Sequence, residues 1–81
     1  MKNRLRELRE DNDLTQEKCA KIAYISKNSY IRYENNERIP PLDTVVTFAE
    51  YYRTSIDYIA GLTEEIKPYP RKIKKGGDNN V

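Results

Sequence analysis

The sequence predicts an all-α domain of five short helices with a flexible C-terminal tail, and three observations predict it. Apolar residues recur at three- and four-residue spacing up to residue 60, while no period-two alternation of useful length appears. Residues suited to capping or breaking helices separate these stretches. After Thr63 the apolar content falls away, and the remaining EEIKPYPRKIKKGGDNNV holds two prolines and two glycines. A chain of 81 residues is one domain at most, with a small core and no room for a large substrate cleft.

Each element has its own warrant. Residues 3–12 carry Leu5 and Leu8 at i, i+3 among charges, a helix with one narrow apolar stripe, and Asp13-Leu14 interrupts it. Thr15 is placed to cap a second helix through Cys19, Ala20, Ile22 and Ala23. Ser26 caps a third, over residues 27–35, which Asn35-Asn36 ends because Asn tolerates the left-handed conformation. The prolines at 40 and 41 force a loop. Pro41 can open a fourth helix whose core stripe is Leu42, Val45, Phe48, Ala49 and Tyr52. Ser55 begins a short fifth helix that stops at Gly61, with Asp57 near its positive end.

Composition removes several function classes. The chain has no His and one Cys, so it cannot assemble a Cys/His zinc cluster, an internal disulfide or a Ser/His/Asp relay. Without a His to activate it, Cys19 reads as a small buried hydrophobe. No coherent set of catalytic residues remains, and neither enzyme activity nor a cofactor is expected. No apolar run approaches the roughly 20 residues of a membrane span, and no signal-peptide core follows Met1, so a cytoplasmic protein without membrane contact is expected. The net charge of +2 says little, but its distribution is lopsided. Residues 15–33 hold Lys18, Lys21, Lys27 and Arg32 against Glu17 alone, whereas residues 39–63 hold Arg53 against Asp43, Glu50 and Asp57.

The third helix has two unlike faces. At 100° per residue, Lys27, Asn28, Ile31 and Arg32 share an arc of about 140°, and Tyr30 and Tyr33 lie opposite. Two helices joined by a very tight turn form the arrangement in which one lies across a duplex while the next enters a groove. The third helix is about 12 Å long at 1.5 Å per residue, close to the roughly 12 Å width of the major groove of B-DNA.

The segment LTQEKCAKIAYISKNSYIRYENN (residues 14–36), the following Pro, LDTVVTFAEYY (42–52) and TSIDYIAG (54–61) together resemble the Cro and phage-repressor helix-turn-helix family, also called the xenobiotic response element family. The likeness runs from about residue 3 to residue 63. It implies a five-helix, lambda-repressor-like domain over residues 1–63 with its helix-turn-helix at about 15–35, apart from a basic tail at 64–81. It also implies site residues. Thr15 and Gln16, at the start of the second helix, would meet a phosphate. Lys27, Asn28 and Arg32 would read base edges and Ile31 a thymine methyl, chemistry that suits each side chain. Asn35 would approach the backbone, Arg38 would touch the backbone or the minor groove, and Arg9 would form an ion pair with Glu34. The resemblance implies no cofactor and no metal. Three positions depart from the family pattern: Tyr24 stands where the tight turn usually has Gly or Asn, Cys19 where Leu is usual, and Asn36 where Gly is usual. A bulky residue kept in the left-handed region at Tyr24 would cost about 1 kcal/mol.

Blander readings compete for several residues. Tyr30, Tyr33 and Tyr52 stand at core spacing and are expected to pack rather than stack on bases. Lys18 and Lys21 are ordinary solvated charges by default. The basic run at residues 71–75 is either a solvated tail or an auxiliary arm on DNA. The expected function is a sequence-specific, DNA-binding transcriptional regulator, a repressor, whose partners are double-stranded operator DNA and a second copy of the chain. The dimer surface is expected on the fourth and fifth helices near Tyr51, Tyr58 and Leu62. The alternative is an antitoxin-like or adaptor protein that binds another protein through its tail.

Overall fold

A computed structural model of the chain describes residues 2–68. Its helices are α1 (Leu5–Asp11), α2 (Gln16–Ile22), α3 (Lys27–Glu34), α4 (Leu42–Tyr52) and α5 (Ile56–Ile59), and no strand occurs among the described residues. α2 packs against α3, α1 against α3, and α4 against α5. Leu5, Leu8, Cys19, Ala20, Tyr30, Val45, Phe48, Ala49 and Ile59 form the buried core, with Tyr33 at its edge. Phe48 is the centrepiece, edge-on to Tyr30 at 5.8 Å and stacked with Tyr52 at 6.0 Å. Cys19 is fully buried, its Sγ 3.4 Å from the Tyr52 hydroxyl. No described helix is long and apolar enough to cross a membrane.

The α4 stripe needs one correction. Leu42, expected in the core, is 68% exposed, and Thr44 is buried instead. Thr44 lies one turn before Phe48 and shares its face, while Leu42 stands about 120° round the helix from Phe48. Pro41 is the cap of α4 rather than its first residue.

All five helices close the same way. In each, one residue past the end takes a left-handed conformation: Asp13 (φ 56°), Tyr24 (φ 57°), Asn36 (φ 62°), Arg53 (φ 57°) and Gly61 (φ 81°). The next residue then donates its N–H to a carbonyl five positions back, as Ile25 does to Ala20 at 3.0 Å and Glu37 to Arg32 at 2.9 Å. This is the Schellman motif, which reverses the chain within two residues and satisfies carbonyls the helix leaves open. Only one of the five positions is Gly. The tight joint between α2 and α3 is therefore built on Tyr24, whose ring is 95% exposed and offsets none of the backbone cost by packing.

Residues 2–4 run between the two ends of the domain. Asn3, one residue before the N-cap Arg4, accepts from Leu5 N–H through its Oδ1 at 2.9 Å. The Arg4 N–H donates to the Ile59 carbonyl at 2.9 Å, and its guanidinium lies 4.1 Å above the Tyr58 ring. That guanidinium also donates to the carbonyls of Tyr58 and Thr63 and meets Glu64 at 3.3 Å. Gly61 permits the approach, because a Cβ there would sit 2.9 Å from the Lys2 carbonyl oxygen. Past Thr63 the chain stays attached as far as Ile66, whose carbonyl accepts from the buried Thr54 hydroxyl. The rest of the expected tail, residues 69–81, lies outside the described residues.

Candidate nucleic-acid interface

α3 starts where the sequence supplies a cap. Ser26 Oγ accepts from Ser29 N–H at 3.1 Å and donates to Ser29 Oγ at 3.0 Å, ordering the first turn. The helix buries Tyr30, Tyr33 and Glu34 and turns Lys27, Asn28 and Arg32 to solvent, with Ile31 half-buried between them. α2 is capped in the same manner, Thr15 Oγ1 accepting from Lys18 N–H at 3.0 Å.

The N-termini of α2 and α3 come together. Thr15, Gln16 and Lys27 line one hollow of about 640 Å³ with Arg6, Arg9, Leu14, Glu10 and Glu17. At the far end of α3, Arg38 lines a second hollow of about 610 Å³ with Asn3, Asn36, Glu37 and Ile39. Asn35 is exposed at the end of α3, and its side chain is held by Arg6.

A buried carboxylate ties α1 to α3. Arg9 grips Glu34 with two bonds, Nε to Oε1 at 3.0 Å and Nη2 to Oε2 at 2.9 Å, and donates its Nη1 to the Leu14 carbonyl at 3.0 Å. Arg6 Nε adds a third bond to Oε2 at 2.9 Å, and its Nη2 donates to Asn35 Oδ1. The Glu34 side chain is wholly buried, that of Arg9 is 16% exposed and that of Arg6 54%. Burial acts to raise the Glu34 carboxyl, but the hydrogen bonds from Arg9 and Arg6 outweigh it and hold the group below the usual carboxylate range. The same hydrogen bonding with Glu34 raises Arg9 further above its ordinary value. Glu10 adds a second carboxylate at the rim, 3.9 Å from Arg9 Nη2, so the two cations face two anions, one buried and one exposed.

Sequence reasoning missed Arg6, Asn3 and the side-chain role of Asn36. A signal for Arg6 was present: it stands at i, i+3 from Arg9 on one helix face, and a buried carboxylate has acceptor sites for two guanidinium groups. Asn3 had a local signal only for its bond to Leu5 N–H at the start of α1; its bonds to Asn36 and Tyr33 reach about thirty residues along the chain.

The family model described as "Helix-turn-helix" matches residues 5–59. Over 65 residues the chain is 46% identical to a Bacillus subtilis protein named "Uncharacterized HTH-type transcriptional regulator YobD", covering 80% of this chain and 58% of that protein. It is 32% identical over 77 residues to the "Cryptic phage CTXphi transcriptional repressor RstR" of Vibrio cholerae, covering 89% of this chain and 69% of the repressor. A third relative, the "HTH-type transcriptional regulator ImmR" of Bacillus subtilis, is 34% identical over 64 residues, 79% of this chain and 50% of its own length. The chain thus spans between half and about two thirds of each relative. No solved structure matches it significantly.

Proposed function

The chain belongs to the Cro/C1-type helix-turn-helix family, and from that premise we propose that it is a sequence-specific, DNA-binding transcriptional regulator that represses from an operator in the cytoplasm. The observation that carries this reading is the division of α3, with Tyr30, Tyr33 and Glu34 buried and Lys27, Asn28 and Arg32 presented to solvent on a rigidly capped helix. In the major groove Arg32 or Lys27 would pair with guanine O6/N7, Asn28 with adenine N6/N7, and Ile31 with a thymine methyl. Thr15, Gln16, Asn35 and Arg38 would hold phosphates and set the docking register. The names of the relatives support a regulator and do not favour the adaptor alternative.

One domain reads a half-site, so the functional unit is a homodimer whose two α3 helices stand about 34 Å apart, one helical turn. Tyr51 and Leu62 are exposed on the α4–α5 side and carry that contact. Tyr58 contributes less, because Arg4 covers its ring.

The test begins with selection of bound duplexes from a random pool. Arg32→Ala and Asn28→Ala should each weaken the selected site by about 1–3 kcal/mol and relax base preference at one position per half-site. Gln16→Ala should instead weaken all duplexes alike. Equal losses on selected and random duplexes for Arg32→Ala and Asn28→Ala would reduce α3 to phosphate neutralisation and sink the specificity assignment.

A further inference from the structure

The two asparagines after α3 differ from the other helix ends in what holds their side chains. Asn36 Oδ1 accepts from the Asn3 backbone N–H at 2.9 Å, while Asn3 Nδ2 donates to the Tyr33 carbonyl at 2.8 Å. Asn35 Oδ1 accepts from Arg6 Nη2. A backbone amide and a guanidinium can only donate, so in both side chains the atom they meet must be the carbonyl oxygen. The amide orientation of both residues is therefore fixed by chemistry. Each NH2 group is left over on an exposed residue, and no described group accepts from either Nδ2. Two neighbouring pairs of oriented donors at the end of an exposed helix suit an acceptor-only ligand. Asn36 also shares its hollow with Arg38, which supplies a positive charge, and with Glu37, whose carboxylate opposes it.

We propose that Asn35 and Asn36 together form a two-amide phosphate clamp on the DNA backbone, with Arg6 and Asn3 as positioning residues that turn both NH2 groups outward. The clamp rests on the DNA-binding reading above and adds to it a second phosphate donor, Asn36, and the two residues that orient the pair. Asn36 combines two tasks, since it takes the left-handed conformation that ends α3 and carries a donor that glycine would lack. A neutral donor adds grip without adding charge, so its loss should weaken binding without altering the number of counterions released.

The experiment measures affinity across a salt series for a random-sequence duplex and for the duplex selected from a random pool. Asn36→Gly keeps the left-handed turn and removes the NH2 donor together with the acceptor for the Asn3 N–H, whereas Asn36→Asp removes the donor alone. The Gly variant should weaken both duplexes by a similar factor, roughly 2- to 10-fold, with the salt slope unchanged. Asn36→Asp keeps the acceptor for the Asn3 N–H but replaces the donor with a charge, and should lose more, most of all at low salt. In the full chain, the side-chain NH2 resonances of Asn35 and Asn36 should both move on adding the random duplex, a signal that a purely structural role would not give. Unchanged affinity in Asn36→Gly, or unmoved Asn36 amide resonances while the wild type binds, overturns the clamp alone. A wild-type chain that binds no duplex overturns the DNA-binding function, and the clamp with it.

Discussion

Glu34 is the residue on which the joint between α1 and α3 depends. Its carboxylate is wholly buried and accepts three bonds from two arginines of unequal exposure. Removing a partner from a buried pair leaves a charge without compensation, which costs far more than the pair itself contributes. Arg9→Met should therefore destabilise the domain by about 3 kcal/mol, whereas Arg6→Ala, at a half-exposed position, should cost under about 1 kcal/mol. Chemical denaturation of the two variants at neutral pH checks the order, and equal losses would mean that the two arginines share the burden evenly. Acid should act on the same group. The folded state holds Glu34 below its unfolded value, so between those two values the native state binds fewer protons than the unfolded chain. The stabilisation is complete above the ordinary carboxylate value of about 4.3 and fades as pH falls through the lower native value. Glu34→Gln should lower the thermal midpoint at pH 7, and the gap to wild type should narrow as the buffer is taken to pH 3 or so. A gap independent of pH would assign the loss to shape rather than charge.

At the scale of the element, the helix ends carry a cost that the side chains do not repay locally. Four of the five left-handed positions hold Asp, Tyr, Asn and Arg rather than Gly. Asp and Asn visit this region readily, Tyr and Arg do not. Tyr24→Gly should raise stability by about 1 kcal/mol, because the ring is almost fully exposed and its loss removes no packing. The thermal midpoint of the purified variant decides it. A fall would show that the Tyr24 ring packs in solution. The caps work in the opposite direction: Thr15, Ser26 and Ser55 each accept from an N–H three residues on, and they fix where α2, α3 and α5 begin. Those three starts were legible because capping is a local bargain between neighbouring residues. The failure at Leu42 was not local in origin, since periodicity identifies a face but not how much of it the neighbouring helices reach.

Across the whole molecule, the N-terminal residues join its two ends, Asn3 to the close of α3 and Arg4 to the close of α5 and the segment after it. Truncation after Pro68 should leave stability within about 0.5 kcal/mol of the full chain, because no described contact is removed. Truncation after Leu62 should cost about 2 kcal/mol more, since Arg4 loses its Thr63 acceptor and Thr54 its Ile66 acceptor. Thermal melts of the two truncated chains make the comparison, and identical midpoints would show that the attachment beyond Thr63 contributes nothing. If the basic residues of the tail act as an arm on DNA, the shorter salt slope of both truncated chains will register it.

By itself the sequence determined five helices, the caps of α2, α3 and α5, the tyrosine core and the unlike faces of α3, because these follow from spacing along the chain and from bonds between near neighbours. It also contained the resemblance that matched the family. Only the tertiary structure decided that Arg6 joins Arg9 on Glu34, that Leu42 stays in water, and that Asn3 and Arg6 hold the two asparagines with their amides outward. The contacts of Asn3 and Arg6 join residues about thirty positions apart, and their strength, like the exposure of Leu42, depends on burial, a property of the packed fold that no single stretch of sequence carries.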